Sequence, residues 1–308
     1  MRAERRQQAV YAAYRALGLA MSVAPEPVAA LAAAAVGEAM AVRRGPAWEQ
    51  RSRHLRRVLA WSWPGASPDD DVVRRWTRRA YRSYARYWLE GARLPAVGAA
   101  EVNQRMMVER GYEHLQKAMA AGQGVVMALP HVGSWEWGGS FLASQGYPMT
   151  SVAERIEPPA LFEWFVEERK AIGLTIVPLG PGSGPAVLRT LRAGGLVGLL
   201  CDRDLVGDGV EVEFFGERTT LPAGPATLAL RTGAVLVGAV VYSGPGREHT
   251  AEITAPLDAS RSGDLRADVQ RITQSIARVF EQFVARCPEQ WHLYQPNWPS
   301  DHPADSAS

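Results

Sequence analysis

From about residue 111 to residue 254, short β-rich runs alternate with helical stretches along the chain. The β-rich runs predict strands at 124–129, 149–153, 174–178, 196–201, 211–215, 235–242 and 249–254. The stretches between them predict helices at 111–121, 134–146, 159–172, 184–193 and 222–232, and a last helix follows over 264–286. Because alternating strands and helices form a mostly parallel central sheet flanked by helices, we predict an α/β fold.

The first 95 residues differ from this pattern and predict a helical, basic region. Residues 1–110 hold 19 arginines, no lysine and 10 acidic residues, whereas the remainder holds 15 basic and 22 acidic residues. The 308 residues, 47% of them hydrophobic, can bury a sizeable core. We expect one domain over 1–298, with a helical part that faces a membrane (1–95) and an α/β catalytic part (110–298). The polar segment 299–308 is expected to be disordered.

The basic charge of this region indicates an anionic partner surface, either a membrane or a nucleic acid. Residues 24–42 are apolar, but prolines and glutamates interrupt them. Since a membrane span needs about 20 mostly apolar residues, we expect a helix that lies on a surface and does not cross a bilayer.

A predicted helix over 72–90 has two contrasting faces. One carries an arginine stripe, made of Arg75, Arg79, Arg82 and Arg86. The opposite face carries Val73, Trp76, Ala80, Tyr84 and Tyr87. The aromatic face either meets lipid headgroups or packs on the core, in which case the arginines alone meet the bilayer.

His131 stands just beyond the end of the first predicted strand, after Leu129-Pro130. Ligands of parallel α/β sheets bind beyond the carboxyl ends of the strands. Two residues that are five positions apart in one helix point in directions about 140° apart. His131 and Glu136 can therefore approach each other only if His131 lies in a loop before the helix. We predict that this helix starts near Ser134, a good N-cap. The positive end of that helix favours a neutral imidazole, as a general base requires. A single histidine near a Trp-rich turn is, however, more often a structural residue than a general base.

A second strand end carries a carboxylate, because Asp202 follows the apolar run 196–200. Asp202 either forms a structural ion pair or bonds one ring nitrogen of His131 and leaves the other nitrogen to take a proton. We expect Asp202 to lie within hydrogen-bond reach of His131 and Glu136 to hold the loop.

Other catalytic motifs are absent from the sequence. No Gly-x-Ser-x-Gly occurs, so a serine-hydrolase elbow is not indicated. The glycine-rich stretch 180–185 contains prolines and no following lysine, which excludes a P-loop or a dinucleotide fingerprint. Because His-Glu-x-x-His and paired Cys-x-x-Cys are lacking, we expect no metal site. Two widely spaced cysteines, Cys201 and Cys287, are typical of reduced thiols in a cytoplasmic protein.

Five blocks of sequence resemble the glycerolipid acyltransferase superfamily, in the branch of the lipid A late acyltransferases and the actinobacterial phosphatidylinositol mannoside acyltransferases. They are ALPHVGSWEWGG (128–139), TSVAER (150–155), CDRDL (201–205), GVEVEFFGE (209–217) followed by LPAGPATLA, and WHLYQPNW (291–298). The resemblance covers roughly residues 110–298 and is closer to the mannoside enzymes. Those enzymes typically carry Asp at the motif position and Glu as the second acid, where this sequence has Glu136 and Asp202.

The resemblance implies transfer of a palmitoyl-like chain from acyl-CoA to a mannose hydroxyl of phosphatidylinositol mannoside, an anionic phospholipid. It implies a peripheral enzyme on the cytoplasmic face of the plasma membrane, with acyl-CoA as co-substrate and no metal or nucleic-acid partner. The family's histidine falls on His131, its motif acid on Glu136 and its orienting acid on Asp202.

Four further residues are candidate substrate ligands. By the same resemblance, Glu154 and Arg169 would orient the acceptor and the coenzyme phosphates. Arg203, or backbone N–H groups at the start of helix 134–146, would stabilise the developing oxyanion. Trp135, with Trp137 and Phe141, would line the acyl chain, although core packing accounts for these three equally well.

Two alternatives remain open at this level. The chain could be a non-catalytic, peripheral membrane-binding protein of the same fold, or an acyltransferase that uses another lysophospholipid or glycolipid acceptor.

Overall fold

The computed structural model describes residues 2–63, 65 and 67–302. Over these residues the chain forms eleven α-helices and nine strands. The helices are α1 (Arg2–Val23), α2 (Glu26–Val42), α3 (Pro46–Ser62), α4 (Asp70–Arg93), α5 (Ala99–Arg105), α6 (Tyr112–Ala120), α7 (Trp135–Ser144), α8 (Pro159–Ala171), α9 (Ser183–Arg192), α10 (Gly224–Thr232) and α11 (Leu265–Arg286). The strands are β1 (Met106–Arg110), β2 (Val125–Leu129), β3 (Met149–Ala153), β4 (Leu174–Pro178), β5 (Leu196–Leu200), β6 (Val210–Phe214), β7 (Glu217–Leu221), β8 (Val235–Ser243) and β9 (His249–Ile253).

Seven strands form the central sheet, in the order β1-β9-β8-β2-β5-β3-β4. Neighbours pair in parallel except β8 and β9, which are antiparallel because only the short turn 244–248 joins them. The predicted α/β class and the mostly parallel sheet are therefore confirmed.

The core lies on both faces of this sheet. Along β2, Val126 and Ala128 face a cluster covered by α9, α10 and α11, whereas Val125, Met127 and Leu129 face a second cluster with α6 and α7. A strand that is buried on both faces must be apolar at every position, which explains why 125–129 is a continuous apolar run.

The N-terminal helices pack through small side chains. On α2, buried small residues recur at every fourth position, namely Ala29, Ala33, Gly37 and Ala41. A Cβ on Gly37 would lie 2.7 Å from the Arg82 Cα on α4, so the two helices approach as closely as their backbones allow. The predicted helix 72–90 corresponds to α4, which is capped by Asp69, whose side chain accepts a hydrogen bond from the Val72 N–H.

Three details differ from the sequence predictions. The predicted strand 211–215 pairs with β7 in a separate hairpin and does not join the central sheet. β1 and β7 were not predicted, since their charged residues hide the strand pattern. Ser134 stands at the N-cap of α7, but its hydroxyl does not cap the helix and donates to Glu90 instead.

Part of the segment predicted to be disordered, 299–308, is ordered in the structure. Pro299–Asp301 forms a 3₁₀ turn, and the buried Asp301 accepts hydrogen bonds from the Asn297 and Trp298 N–H groups. These contacts fix residues 299–301, and the remainder of that prediction, residues 303–308, lies outside the described residues.

Candidate active site

The register of two neighbouring strands brings His131 and Asp202 together. β2 and β5 pair in parallel, and the last pair in the register is Leu129 with Leu200. His131 and Asp202 each follow that pair by two residues. Because parallel strands that end level place the next residues at the same edge of the sheet, the strand pairing itself determines the meeting of the two side chains.

Backbone hydrogen bonds fix the loop that carries His131. The His131 carbonyl accepts from the His292 N–H at 2.7 Å, and the Gly133 N–H donates to the Gln290 carbonyl at 2.9 Å. Gly133 has a φ of +58°, and a Cβ there would lie 1.9 Å from the Val241 carbonyl oxygen. Only glycine fits this position, so the imidazole extends from a rigid backbone.

The side chains of His131 and Asp202 form a hydrogen-bonded pair. His131 Nδ1 lies 2.5 Å from Asp202 Oδ1, and the His131 backbone N–H donates to Oδ2 at 2.9 Å. The Trp291 indole N–H also donates to Oδ2, at 2.7 Å. Asp202 is fully buried, whereas 35% of the His131 side chain is exposed. The carboxylate is thus held by three donors at the base of the site.

These contacts determine which nitrogen of His131 can react. Burial acts to raise the pKa of Asp202, but the charge of His131 and the hydrogen bonds from His131 and Trp291 outweigh it, so this pKa lies below its ordinary value. An ionised Asp202 accepts the Nδ1 hydrogen and fixes the imidazole tautomer. Nε2 is then the nitrogen that can take a proton from a substrate.

Glu136 joins three helices and does not bond the imidazole. Its Oε1 accepts a hydrogen bond from the Tyr87 hydroxyl of α4 at 2.9 Å and from Arg169 Nη2 of α8 at 3.0 Å. Its Oε2 is buried and has no hydrogen-bond partner among the described residues. Glu136 was expected to hold the His131 loop, whereas these contacts show that it ties α7 to α4 and α8.

The four candidate substrate ligands fall into two groups. The Arg169 guanidinium, paired with Glu136, lies 5.4 Å from the ring centroids of both Trp135 and Phe165. Arg203 Nη2 donates to Glu154 Oε2 at 3.2 Å, at the ends of β5 and β3. In this second pair the Arg203 side chain is 17% exposed and the Glu154 side chain 53% exposed, so a ligand at the sheet edge can reach the carboxylate.

An apolar cavity of about 500 Å³ lies between α1, α2, α4 and α8 and reaches the Glu136–Arg169 pair. Among the side chains that line this apolar cavity are Met21, Met40, Tyr84, Tyr87, Trp88, Trp164 and Phe165. The three aromatic residues expected to line an acyl chain, Trp135, Trp137 and Phe141, pack in the core clusters beside the sheet instead. Trp135 was predicted to line the acyl chain, but it packs in the core beneath Arg169.

No group of three or more His, Cys, Asp or Glu side chains that could hold a metal ion occurs in the part of the chain that the structure describes. Cys201 and Cys287 are free thiols.

Sequence reasoning missed two residues that contact the site. Trp291 belongs to the block WHLYQPNW, which supports the family resemblance. The sequence did not predict a role for Trp291 itself. Tyr87 was assigned to a lipid-facing or core-facing aromatic face, and its hydroxyl in fact bonds Glu136. Both contacts join residues far apart in the chain, so neither spacing nor periodicity could reveal them.

Trp291→Phe is expected to reduce turnover by roughly tenfold. Phenylalanine keeps the ring packing but removes one donor from Asp202, and a hydrogen bond to a charged group contributes about 1.5–3 kcal/mol. Steady-state kinetics would measure the loss. Trp298→Phe is the matched control, since that buried indole donates to the Phe214 carbonyl, away from Asp202. Equal turnover of the two variants would contradict a role for Trp291 at Asp202.

Comparison with known proteins identifies relatives along almost the whole chain. The family model described as "Bacterial lipid A biosynthesis acyltransferase" matches residues 2–300. The phosphatidylinositol mannoside acyltransferase of Mycobacterium tuberculosis strain H37Rv is 38% identical over 257 residues, which cover 82% of this chain and 78% of that protein. The protein of the same name from Mycolicibacterium smegmatis is 39% identical, with 82% and 80% covered. A lipid A biosynthesis acyltransferase of Haemophilus influenzae is 27% identical, with 59% and 55% covered.

Proposed function

Because the chain belongs to the bacterial lipid A biosynthesis acyltransferase family, we propose that it transfers a long, palmitoyl-like acyl chain from acyl-CoA to a mannose hydroxyl of phosphatidylinositol mannoside. The observation that carries this proposal is the His131–Asp202 pair at the edge of the sheet. The choice of acceptor is supported by relatives at 38% and 39% identity that are named for it.

The proposed reaction needs one base and no metal. His131 Nε2 takes the proton of the acceptor hydroxyl, and the resulting alkoxide attacks the thioester carbonyl carbon. The tetrahedral intermediate then collapses, the C–S bond breaks and coenzyme A leaves as a thiolate that recovers the proton from the imidazolium. Asp202 stabilises that imidazolium while it carries the charge.

The developing oxyanion needs donors aimed at it. The Gly133 and Ser134 N–H groups already donate to the Gln290 and Val241 carbonyls. The Trp137 N–H also donates, to the Ser134 carbonyl. We therefore assign this role to the Arg203 guanidinium and to the N–H groups of Trp135 and Glu136 in the first turn of α7.

The apolar cavity is proposed to hold the acyl chain. Each methylene that it removes from water contributes about 0.8 kcal/mol, which favours a long saturated chain. The Glu136–Arg169 pair lines the cavity, and we propose that the polar part of the donor begins there. Glu154 is proposed to contact the acceptor.

Mass spectrometry of the lipid product tests the proposed function. Purified protein, palmitoyl-CoA and phosphatidylinositol mannoside in neutral detergent micelles should give an acceptor heavier by one palmitoyl group. Lysophosphatidic acid and a lysophosphatidylcholine serve as competing acceptors. Transfer to either of these in preference to the mannoside would overturn the acceptor assignment, and no transfer to any acceptor would support a non-catalytic protein.

A peripheral position on the cytoplasmic face of the membrane is part of the proposal. No helix among residues 2–63, 65 and 67–302 is long and apolar enough to span a bilayer. Tyr84 and Tyr87 contact Tyr294 and His292 inside the protein, which supports the core-packed alternative for the aromatic face of α4.

The arginine stripe predicted on α4 is divided in the structure. Arg75 and Arg79 are exposed, Arg82 bonds Glu38, and Arg86 bonds Glu90 and the Gly244 carbonyl. Nearby, α2 presents an exposed apolar surface made of Val28, Leu31 and Val42. We propose that the exposed Arg75 and Arg79 attract anionic lipid and that the α2 surface enters the headgroup layer.

Liposome co-sedimentation should separate these two contributions. We expect binding to anionic vesicles that weakens as salt rises and weakens again in Arg75→Ser/Arg79→Ser, since each basic residue contributes on the order of 1 kcal/mol. Leu31→Ser should reduce the binding that remains at high salt. Arg192→Ser/Arg231→Ser, at exposed positions on α9 and α10, is the control. An equal loss in the control, or no vesicle binding at all, would contradict the proposed surface.

A further inference from the structure

A second cavity, of about 730 Å³, lies on the other side of α4 from the apolar cavity. One side of α4 presents Ser83, Arg86 and Glu90 to this polar cavity, whereas Tyr84, Tyr87 and Trp88 face the apolar one. Helix α4 therefore separates the polar cavity, which is lined by charged side chains, from the apolar cavity. An acyltransferase that acts on an amphipathic acceptor needs both kinds of environment close to one base.

The polar cavity adjoins the loop that carries His131. Glu90 and Gln290 line it. Glu90 Oε2 accepts from the Ser134 hydroxyl at 2.8 Å, and the Gln290 carbonyl accepts from the Gly133 N–H at 2.9 Å. Its floor includes Ser243 at the carboxyl end of β8, the strand that pairs in parallel with β2. The cavity thus opens along the same sheet edge at which His131 stands.

The charges that line the polar cavity are mixed. Its arginines are Arg82, Arg86, Arg93, Arg105 and Arg247. Its glutamates are Glu26, Glu90, Glu101 and Glu289. Guanidinium groups only donate hydrogen bonds and carboxylates only accept them, so the wall suits a ligand that is rich in hydroxyls, which do both. Arg82 is paired with Glu38, which is not on the wall, so the other four arginines and the four glutamates balance, and the wall offers both cations and anions to a ligand.

Two buried ring nitrogens on the wall have no partner. Trp137 Nε1 and His249 Nδ1 belong to side chains that line the polar cavity, and neither has a hydrogen-bond partner among the described residues. The other His249 nitrogen, Nε2, bonds Glu90 Oε2 at 3.2 Å. Buried polar groups are normally paired, so the hydrogen bonding of this wall is incomplete at these two atoms.

We propose that the polar cavity binds the headgroup of the acceptor lipid, a hydroxyl-rich sugar unit that carries one phosphodiester. This inference rests on the proposed function. Arginines hold the phosphodiester, and glutamates accept from the sugar hydroxyls. The nucleotide end of the donor fits less well, because its several phosphate charges would meet four carboxylates. α4 then directs the headgroup to one side and the acyl chain to the other.

A cavity-filling variant on α2 tests this assignment. Ala34 is exposed and lines the polar cavity, whereas the exposed Ala35 lines neither cavity. Ala34→Trp and Ala35→Trp therefore place the same side chain at neighbouring helix positions, with the same cost in helix propensity. Only the first should fill the cavity.

Titration calorimetry with the deacylated, water-soluble headgroup of phosphatidylinositol mannoside is the measurement. We expect binding to wild type and to Ala35→Trp, and at least about tenfold weaker binding to Ala34→Trp. Arg247→Ala, at a half-exposed arginine of the same wall, should also weaken it about tenfold. Coenzyme A should bind all four proteins equally. Headgroup binding that is unchanged in Ala34→Trp, or a loss of coenzyme A binding there, would overturn the proposal.

Kinetics on the same proteins separate this inference from the proposed function. With palmitoyl-CoA and the intact mannoside lipid, Ala34→Trp should raise the KM for the lipid and leave the KM for palmitoyl-CoA unchanged. If wild type transfers the acyl group and Ala34→Trp has the wild-type KM for the lipid, the headgroup site is wrong and the function stands. If wild type transfers nothing to this lipid, the proposed function fails and the headgroup assignment falls with it.

Discussion

His131→Ala is expected to slow acyl transfer by about 10²–10⁴-fold, the usual effect of losing a general base. The variant removes Nε2, the nitrogen that faces outward while Nδ1 bonds Asp202. Its fold should survive, because the loop backbone stays fixed by the His131 N–H bond to Asp202 and the carbonyl bond from His292. The KM values for both substrates should change little, since the loss is in the chemical step.

A second histidine provides a control for this variant. His114 on α6 has the same side-chain exposure as His131, 35%. His114→Ala should keep wild-type turnover, and circular dichroism should show that both variants are folded. A folded His131→Ala protein with turnover close to wild type would remove the catalytic role assigned to this residue.

Strands could be predicted from the sequence where burial permits only one pattern of apolar and polar residues. β2 is buried on both faces, so each of its residues is apolar and the strand is visible in the sequence. β1 was missed because it lies at the edge of the sheet, where Met107, Glu109 and Arg110 are exposed and the apolar pattern breaks down. Local sequence patterns report burial, and β1 has little of it.

The part of the site that depends on the ends of the strands could be predicted from the sequence. Residues just beyond the ends of parallel strands must meet at one edge, which was enough to expect the contact between His131 and Asp202. Trp291 reaches Asp202 from 89 positions away, and Tyr87 reaches Glu136 from 49 positions away. Those meetings depend on how α4 and the C-terminal segment pack across the sheet, and no local pattern encodes such packing.

Asp202→Asn is expected to reduce turnover by at least about a hundredfold although histidine stays in place. An amide keeps the size of the side chain, but it offers the imidazole either an N–H or a weaker, uncharged acceptor. If the amide N–H faces Nδ1, the imidazole hydrogen moves to Nε2, which can then no longer take a proton from the acceptor. If the oxygen faces Nδ1, the imidazolium loses the neighbouring negative charge that stabilises it.

The same variant should change the dependence of stability on pH, which tests the state of the carboxylate directly. Since folding lowers the pKa of Asp202, its charge stabilises wild type above the ordinary Asp pKa of about 3.9, and this contribution is lost as pH falls toward the folded-state pKa. Urea unfolding should therefore show Asp202→Asn to be less stable than wild type at neutral pH, with a difference that narrows below about pH 4. Asp208→Asn, at an exposed aspartate of the same loop, should follow wild type at every pH. A stability difference for Asp202→Asn that stays constant down to low pH would mean that Asp202 is not ionised in the folded protein, and the tautomer assigned to His131 would lose its basis.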